Sequence, residues 1–356
     1  MLVSLFGNLR TLDWASPSMD RYSQELFNGL TRKGIESTLF EPAPPFYASL
    51  LPSKVKFSYL RYDFYPKFAR SKATDINHIT DHSYAQLAKF LPPKKTVVTC
   101  HDLIPLHYEK DDFALSKFKE SVKYLSQVGL VIADSQATKK DLVESLDIDP
   151  NKIKVIYLGV GDVFKKLGED VTSKFVTKYN LPQKPKILHV GNNLAYKNLG
   201  GLLKALKILE DKGIDFVFIK VGPDIKREKI QFAADKYAHI DSIEEELLPA
   251  LYSSVDVLAS PSLVEGFGFP TLEAMACGTS VVVSKGTSLE EIAGFCGIYV
   301  EPASPDSIAE GLLKALSLSK SDRLDYGDAA IKRASGFSWE KTLLGVIEAY
   351  QELAHD

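Results

Sequence analysis

The sequence predicts an α/β protein built from two Rossmann-like, doubly wound domains, and three observations lead there. Short apolar runs of strand length alternate with amphipathic segments throughout the chain, the pattern of parallel βαβ units. A length of 356 residues suits about two domains of ordinary size. The alternation is interrupted between Asp162 and Pro185 by a polar, lysine-rich stretch, KKLGEDVTSKFVTKYNLPQKPK. A hinge is therefore expected near residue 165, with one domain over 1–165, a second over 166–335 and a terminal helix over 336–356.

The elements follow in order. LVSLF reads as the first strand, and the segment DRYSQELFNGLTRKG as a helix with Tyr22, Leu26 and Leu30 on one face and Gly34 at its end. ESTLF, TVVTC, LVIADS and KVIYL continue the first domain as strands; KILHVG, FVFIKVG, VDVLASPS and TSVVVS form the second. The tail FSWEKTLLGVIEAYQEL reads as an amphipathic helix with Trp339, Leu343, Ile347 and Tyr350 on its apolar side. It must pack on a surface already built.

Composition narrows the function. A formal net charge of -3 offers no global attraction to nucleic acid. Cys100, Cys277 and Cys296 are too few and too scattered for a disulfide framework or a metal cluster. The N-terminal apolar run is short, and nothing approaches the roughly 18 consecutive apolar residues of a membrane span. These features predict a cytoplasmic protein, neither exported nor integral to a membrane.

Most of the chemistry is concentrated in SPSLVEGFGFPTLEAMACGTSVVVS, residues 260–284, where Glu265 and Glu273 have seven residues between them. Gly266 and Gly268 make a permissive loop, Pro270 suits the first helical position, and Gly278 can end the helix over Thr271 to Cys277. A helix start behind a glycine loop presents N–H groups and the positive end of a dipole, which suits a diphosphate. A carboxylate beside a phosphate is repelled, so each glutamate is expected to face neutral hydroxyls, one on a sugar and the other on a ribose. Read as glycines and one glutamate alone, the segment is only a helix entry with a tight turn.

The full string resembles the E-x7-E signature of glycosyltransferase family 4, in the mannosyltransferase-like branch reading PS-x-x-EGFG-x-P-x-LEAMA-x-G. VTCHDLIPL, VIADSQATKKDL, VIYLGVGDVF, ILHVGNNLAYKNLGGLLKAL and FSWEKT are also similar to the family's segments in order and spacing. The resemblance implies a GT-B fold, with the two domains facing a cleft and the last helix crossing back to the N-terminal domain. It further implies a retaining transferase using a nucleotide-diphosphate sugar, either GDP-mannose or a UDP-sugar, and an unnamed hydroxyl acceptor. No cofactor and no metal are implied. Glu273 matches the ribose ligand, Glu265 the residue near the transferred sugar, His101 the N-domain histidine that meets the sugar, and Lys197 the lysine that neutralises the diphosphate. Gly266, Phe267, Gly268, Phe269, Pro270 and Thr271 complete the implied donor site. Many members place an arginine five residues before the lysine, where this chain has Asn192. Asparagine donates hydrogen bonds but carries no charge, so leaving-group stabilisation is expected to rest on Lys197 or to recruit another cation.

Other residues keep two readings each. Asp102 can orient His101 or cap the next turn. Asp81 and His82, with His78 just before them, lie where a strand gives way to a helix and can line an acceptor site or act as caps; Ser16 is a further acceptor-side candidate. Asp147 and Asp149 spell D-x-D, but they precede Pro150 and read as a polar turn. The aromatic and basic segment 57–72 suits a membrane interface or a phosphate-bearing acceptor, yet Asp63 and Pro66 spoil a clean helix and a surface loop fits equally. Two competing functions remain: a nucleotide-sugar epimerase of the same architecture, against which the E-x7-E string speaks, and a catalytically silent nucleotide-sugar binder, supported only by Asn192.

Overall fold

The computed structural model describes residues 1–10 and 17–355. They form two compact units, Met1–Leu158 together with Trp339–Asp356, and Gly159–Ser338. Each is built on a six-stranded, wholly parallel sheet flanked by helices.

In the first unit the strands are β1 (Val3–Phe6), β2 (Ser37–Phe40), β3 (Ile76–Ile79), β4 (Thr96–Cys100), β5 (Leu130–Ala133) and β6 (Ile153–Val155), in the order β2-β1-β3-β4-β5-β6. The inner strands are buried along their length, as a sheet covered on both faces requires. In the helix Pro17–Arg32, Tyr22, Leu26 and Leu30 are buried as their spacing predicts, and Gly34 turns the chain out of it at φ +70°.

The helix Trp339–His355 returns to this unit. Its inner face is Leu343, Val346, Ala349, Tyr350 and Leu353; Ile347, expected inside, is only half-buried because Val346 and Ala349 hold the innermost register. Its approach is close, since a Cβ on Gly29 would lie 2.7 Å from Leu343 Cδ2. A buried relay ties it to the sheet. The Tyr350 hydroxyl lies 2.6 Å from His78 Nδ1, His78 Nε2 lies 2.7 Å from Thr99 Oγ1, and Thr99 Oγ1 lies 2.8 Å from the Tyr22 hydroxyl. Burial foremost, then the charge of His101, pushes His78 down to about 3, so its ring is neutral. His78 thus belongs to the core and does not line an acceptor site.

The segment 57–72 also differs from expectation. Helix Ser53–Tyr59 runs through one wider π turn, Leu60–Phe64, into helix Tyr65–Ser71, with Pro66 in its first turn. The π turn lets helical backbone continue past Asp63 and Pro66. The aromatics turn inward: Tyr65 is fully buried and donates to the Gly7 carbonyl at 2.6 Å, while Tyr59, Phe64 and Phe68 pack on the core. Exposed apolar side chains lie just upstream, at Phe46, Tyr47, Leu50 and Val55. Among the described residues no helix is long and apolar enough to cross a membrane.

The second unit contains β7 (Lys186–Val190), β8 (Val217–Val221), β9 (Tyr237–Ile240), β10 (Val257–Ser260), β11 (Ser280–Ser284) and β12 (Gly297–Val300), in the order β12-β11-β10-β7-β8-β9. The strand order reverses between β7 and β10, and the carboxyl ends of strands at such a reversal are where a doubly wound sheet opens a crevice. The edge strands β9 and β12 are four residues each, YAHI and GIYV, and carry no long apolar run in the sequence.

Replacing Tyr350 by Phe leaves buried His78 Nδ1 without its partner. The expected loss is about 1–3 kcal/mol of unfolding free energy for the first unit, read by chemical denaturation; an unchanged midpoint would show that the relay does not hold the terminal helix.

Candidate active site

The loops that leave β7 and β10 at the strand-order reversal are fastened to each other. The amide of Leu263 donates to the Tyr196 carbonyl at 2.7 Å, and Asn198 Nδ2 donates to Pro261 O at 3.0 Å and Pro302 O at 2.6 Å. Asn198 adopts φ +54° before the helix Leu199–Asp211 and makes no side-chain cap to it; it joins loops instead. The closure brings Lys197 Nζ to 2.7 Å from Glu265 Oε1, which also accepts from Ser262 Oγ at 2.7 Å. Lys197 retains 15% of its side-chain exposure and Glu265 only 8%. The residues expected at a diphosphate and at a sugar are therefore partners of one another. Asn192 holds its own turn, Oδ1 accepting from the Leu194 amide.

The glycine loop is held equally firmly. Gly268 has φ +107°, and a Cβ there would stand 2.3 Å from Leu289 Cδ2, so neither conformation nor space admits a side chain. Ser288 Oγ donates to the carbonyls of Glu265 and Phe267, at 2.9 and 3.1 Å. The helix then runs Phe269–Ala276, with Pro270 in its first turn and Phe267 packed edge to face on Phe269 at 5.4 Å. Thr271 and Glu273 are buried, and Glu273 Oε2 accepts from the Tyr252 hydroxyl at 2.9 Å. A carboxylate has about four acceptor positions, so this bond leaves Glu273 capacity for further hydroxyls. Nothing in the sequence spacing pointed to Tyr252 or Ser262, which meet the motif only through the fold.

In the first unit His101 follows β4 and is almost fully buried. Its Nδ1 lies 2.6 Å from Asp134 Oδ2 and its Nε2 2.9 Å from the Thr80 carbonyl. Both partners accept, which favours a proton on each ring nitrogen. Burial by itself lowers the affinity of the ring for its second proton, but the Asp134 carboxylate overcomes it and lifts His101 to about 9. His101 is thus an imidazolium with both N–H groups engaged inside the unit, and a direct sugar contact would require one to be exchanged. Asp134, the aspartate of VIADS, is the group that orients it. Asp102 instead accepts from the Ile104 amide at 3.0 Å as a cap.

The acceptor-side candidates are likewise bound up locally. Asp81 Oδ1 caps Ser83 N at 2.7 Å, and His82 Nδ1 accepts from the His101 amide at 3.3 Å. Burial foremost holds His82 below its usual range. Ser16 lies outside the described residues. Asp149 caps Asn151 and Asp147 ends a helix at φ +51°, a polar turn. Among the described residues no group of three or more His, Cys, Asp or Glu side chains is arranged to hold a metal ion.

Comparison with known proteins fits this layout. Residues 19–162 match the family described as Glycosyltransferase Family 4, and residues 172–333 match Glycosyl transferases group 1. The chain is 26% identical over 298 residues to O-antigen chain mannosyltransferase B of Escherichia coli, covering 80% of this chain and 78% of that protein. It is 29% identical over 281 residues to the serotype-specific mannosyltransferase WbdA of the same organism, covering 73% of this chain but spanning only 34% of that longer protein. Among solved structures, the sucrose-phosphate synthase of Thermosynechococcus elongatus superimposes with TM-score 0.77 at 19% identity over 99% of this chain and 98% of that one. Anabaena HepE in complex with UDP and glucose gives 0.74 at 18% identity, over 98% and 99%. These likenesses carry the fold, which is of the GT-B kind.

The His101–Asp134 pair makes a pH prediction. A histidine raised in the folded state stabilises fully below its usual 6.5, and the contribution is lost as pH rises through about 9. The unfolding free energy of the natural protein minus that of Asp134→Asn should fall by on the order of 3 kcal/mol across that window. A difference that stays flat in denaturation at both ends of the window would show that His101 is not charged.

Proposed function

The chain belongs to glycosyltransferase family 4, with a group 1 glycosyl transferase domain in its second unit, and from that membership we propose that it moves a hexose from a nucleoside-diphosphate sugar to a hydroxyl acceptor with retention and without a metal. The carrying observation is the Lys197–Glu265 pair at the β7/β10 reversal, beside the glycine loop and the start of the helix Phe269–Ala276. Departure of the nucleoside diphosphate builds negative charge on its terminal phosphate. An ammonium and helix N–H groups already in place stabilise that charge without reorganisation. The diphosphate takes Lys197, and Glu265, relieved of its cation, turns to a hydroxyl of the transferred sugar. Glu273, oriented by Tyr252, receives the ribose hydroxyls.

Mannose is the favoured sugar, because the E. coli relatives are named mannosyltransferases. GDP-mannose is thus the first donor to test and UDP-sugars the second. The acceptor, a glycan, a lipid-linked saccharide or a small molecule, is taken by the first unit. Support for peripheral membrane contact moves from 57–72 to the exposed Phe46, Tyr47, Leu50 and Val55, with Lys54 close by.

Incubation with GDP-mannose or UDP-sugars and a panel of hydroxyl acceptors should yield an α-linked glycoside. An epimerised donor, or binding without turnover, would sink the transferase reading. Lys197→Ala should lower turnover at saturating donor by roughly 10² to 10³, as for loss of one preorganised donor at a developing anion, while EDTA leaves the rate unchanged. Normal turnover of the variant, or a requirement for a divalent ion, would contradict the leaving-group role. Glu273→Ala should weaken donor binding by about 1–3 kcal/mol; calorimetric titration with GDP and UDP reads this, and an unchanged affinity would refute the ribose contact.

A further inference from the structure

Strand β8 carries a lysine where a strand covered on both faces ordinarily has an apolar residue. Lys220 has no exposed surface. Its Nζ donates to the Gly191 carbonyl at 2.5 Å and to the Val221 carbonyl at 2.9 Å. It is the register partner of His189 on β7 and of His239 on β9, and these two also fasten strand-end carbonyls: His189 Nδ1 donates to Ala259 O at 2.9 Å and His239 Nε2 to Gly222 O at 2.8 Å. A row of three nitrogen side chains thus holds the carbonyls at the carboxyl edge of the sheet.

An ammonium buried against carbonyls is costly, and a neutral donor would hold a carbonyl at lower cost. The location of this one is informative. Gly191 has φ +144° and Gly222 φ +105°, and a Cβ on Gly222 would stand 2.5 Å from Gly191 O and 3.2 Å from Lys220 Nζ, so the two loops close directly over the lysine. Across a trans peptide the carbonyl and the next N–H point in opposite directions. With Gly191 O on Lys220, the Asn192 N–H points away from Lys220. A Cβ on Gly191 would be 3.8 Å from Lys197 Cε, so Lys197 adjoins the same peptide.

We propose that Lys220 is a positioning residue for the donor phosphates: it sets the Gly191–Asn192 peptide with its N–H toward the terminal phosphate and places a positive charge behind it. The assignment rests on the reading that the second unit binds a nucleoside diphosphate. The electrostatic surroundings agree. Burial foremost lowers Lys220 to about 8, with Asp224 pulling the other way. His189 is held at about 4, chiefly by burial, and is neutral in this range; His239 faces from β9, and Lys197 from the loop after β7 is a second cation. An arriving diphosphate therefore raises the proton affinity of Lys220.

The test is calorimetric titration of the full chain with GDP and UDP at about pH 8.5 in buffers of different ionisation enthalpy. The natural protein should take up a fraction of a proton on binding, and Lys220→Gln, which keeps a neutral donor, should lose the uptake and bind about tenfold more weakly, as for one charge-assisted contact. Binding by the natural protein without uptake, or uptake undiminished in Lys220→Gln, overturns the assignment. Should Lys220→Gln fail to fold, Lys197→Met decides: uptake that persists there with a midpoint near 8 supports Lys220, and uptake lost there assigns it to Lys197 and overturns the proposal. Failure of both nucleotides to bind at any pH removes the functional reading and this assignment with it.

Discussion

A charge withdrawn from water at the carboxyl edge of a parallel sheet must find an opposite charge or a set of dipoles, and the Lys197–Glu265 pair is where the second unit meets that requirement. Lys197 leaves the loop after β7 and Glu265 the loop after β10, the two strands between which the order reverses. At that reversal the two connections run off in opposite directions, which opens a crevice between the adjacent strand ends. The bonds from Leu263 to Tyr196 and from Asn198 to Pro261 close the loops, and the ion pair is made possible by that closure. Such a pair contributes modestly to stability, because desolvation offsets much of its Coulomb attraction. Its consequence is orientation: both side chains are held beside the glycine loop before a ligand arrives.

The same physical problem has a different solution in each surrounding. His101 is satisfied by a carboxylate and a carbonyl, which keeps it cationic. Lys220 bonds two carbonyls and has no carboxylate within hydrogen-bonding distance among the described residues, so its charge is held less firmly. His78 and His189, buried beside hydroxyls or a carbonyl, stay neutral. Residue type alone does not separate these cases; the partner does.

Several loop carbonyls of the second unit are turned onto side-chain donors, Ser288 and Lys220 buried and His239 half-buried. Ser288 takes those of Glu265 and Phe267, Lys220 that of Gly191, and His239 that of Gly222. Because each carbonyl opposes the N–H of the next residue, holding the oxygens on one side directs the following amides to the other. The glycines at 191, 222 and 268 allow this through positive φ, and at 222 and 268 through the absence of a Cβ as well.

The sequence by itself determined the fold class, the central strands and the motif over 260–284, since short apolar runs, helical spacing and glycine or proline punctuation are local properties of the chain. Through the family resemblance it also singled out Glu265, Glu273 and Lys197, of which the fold pairs Lys197 with Glu265. Strands β9 and β12 were not legible, because YAHI and GIYV are four-residue segments without a longer apolar run. The continuous helix through Asp63 and Pro66 was not legible either, since a single π turn absorbs what local propensity counts as a break. Only tertiary structure decided which groups became partners. Asp134, not adjacent Asp102, orients His101; Tyr252 meets Glu273; His78 joins Tyr350 across 272 residues. Those choices depend on strand order and crossover, which set distances between segments remote in sequence and leave no trace in the spacing of either one.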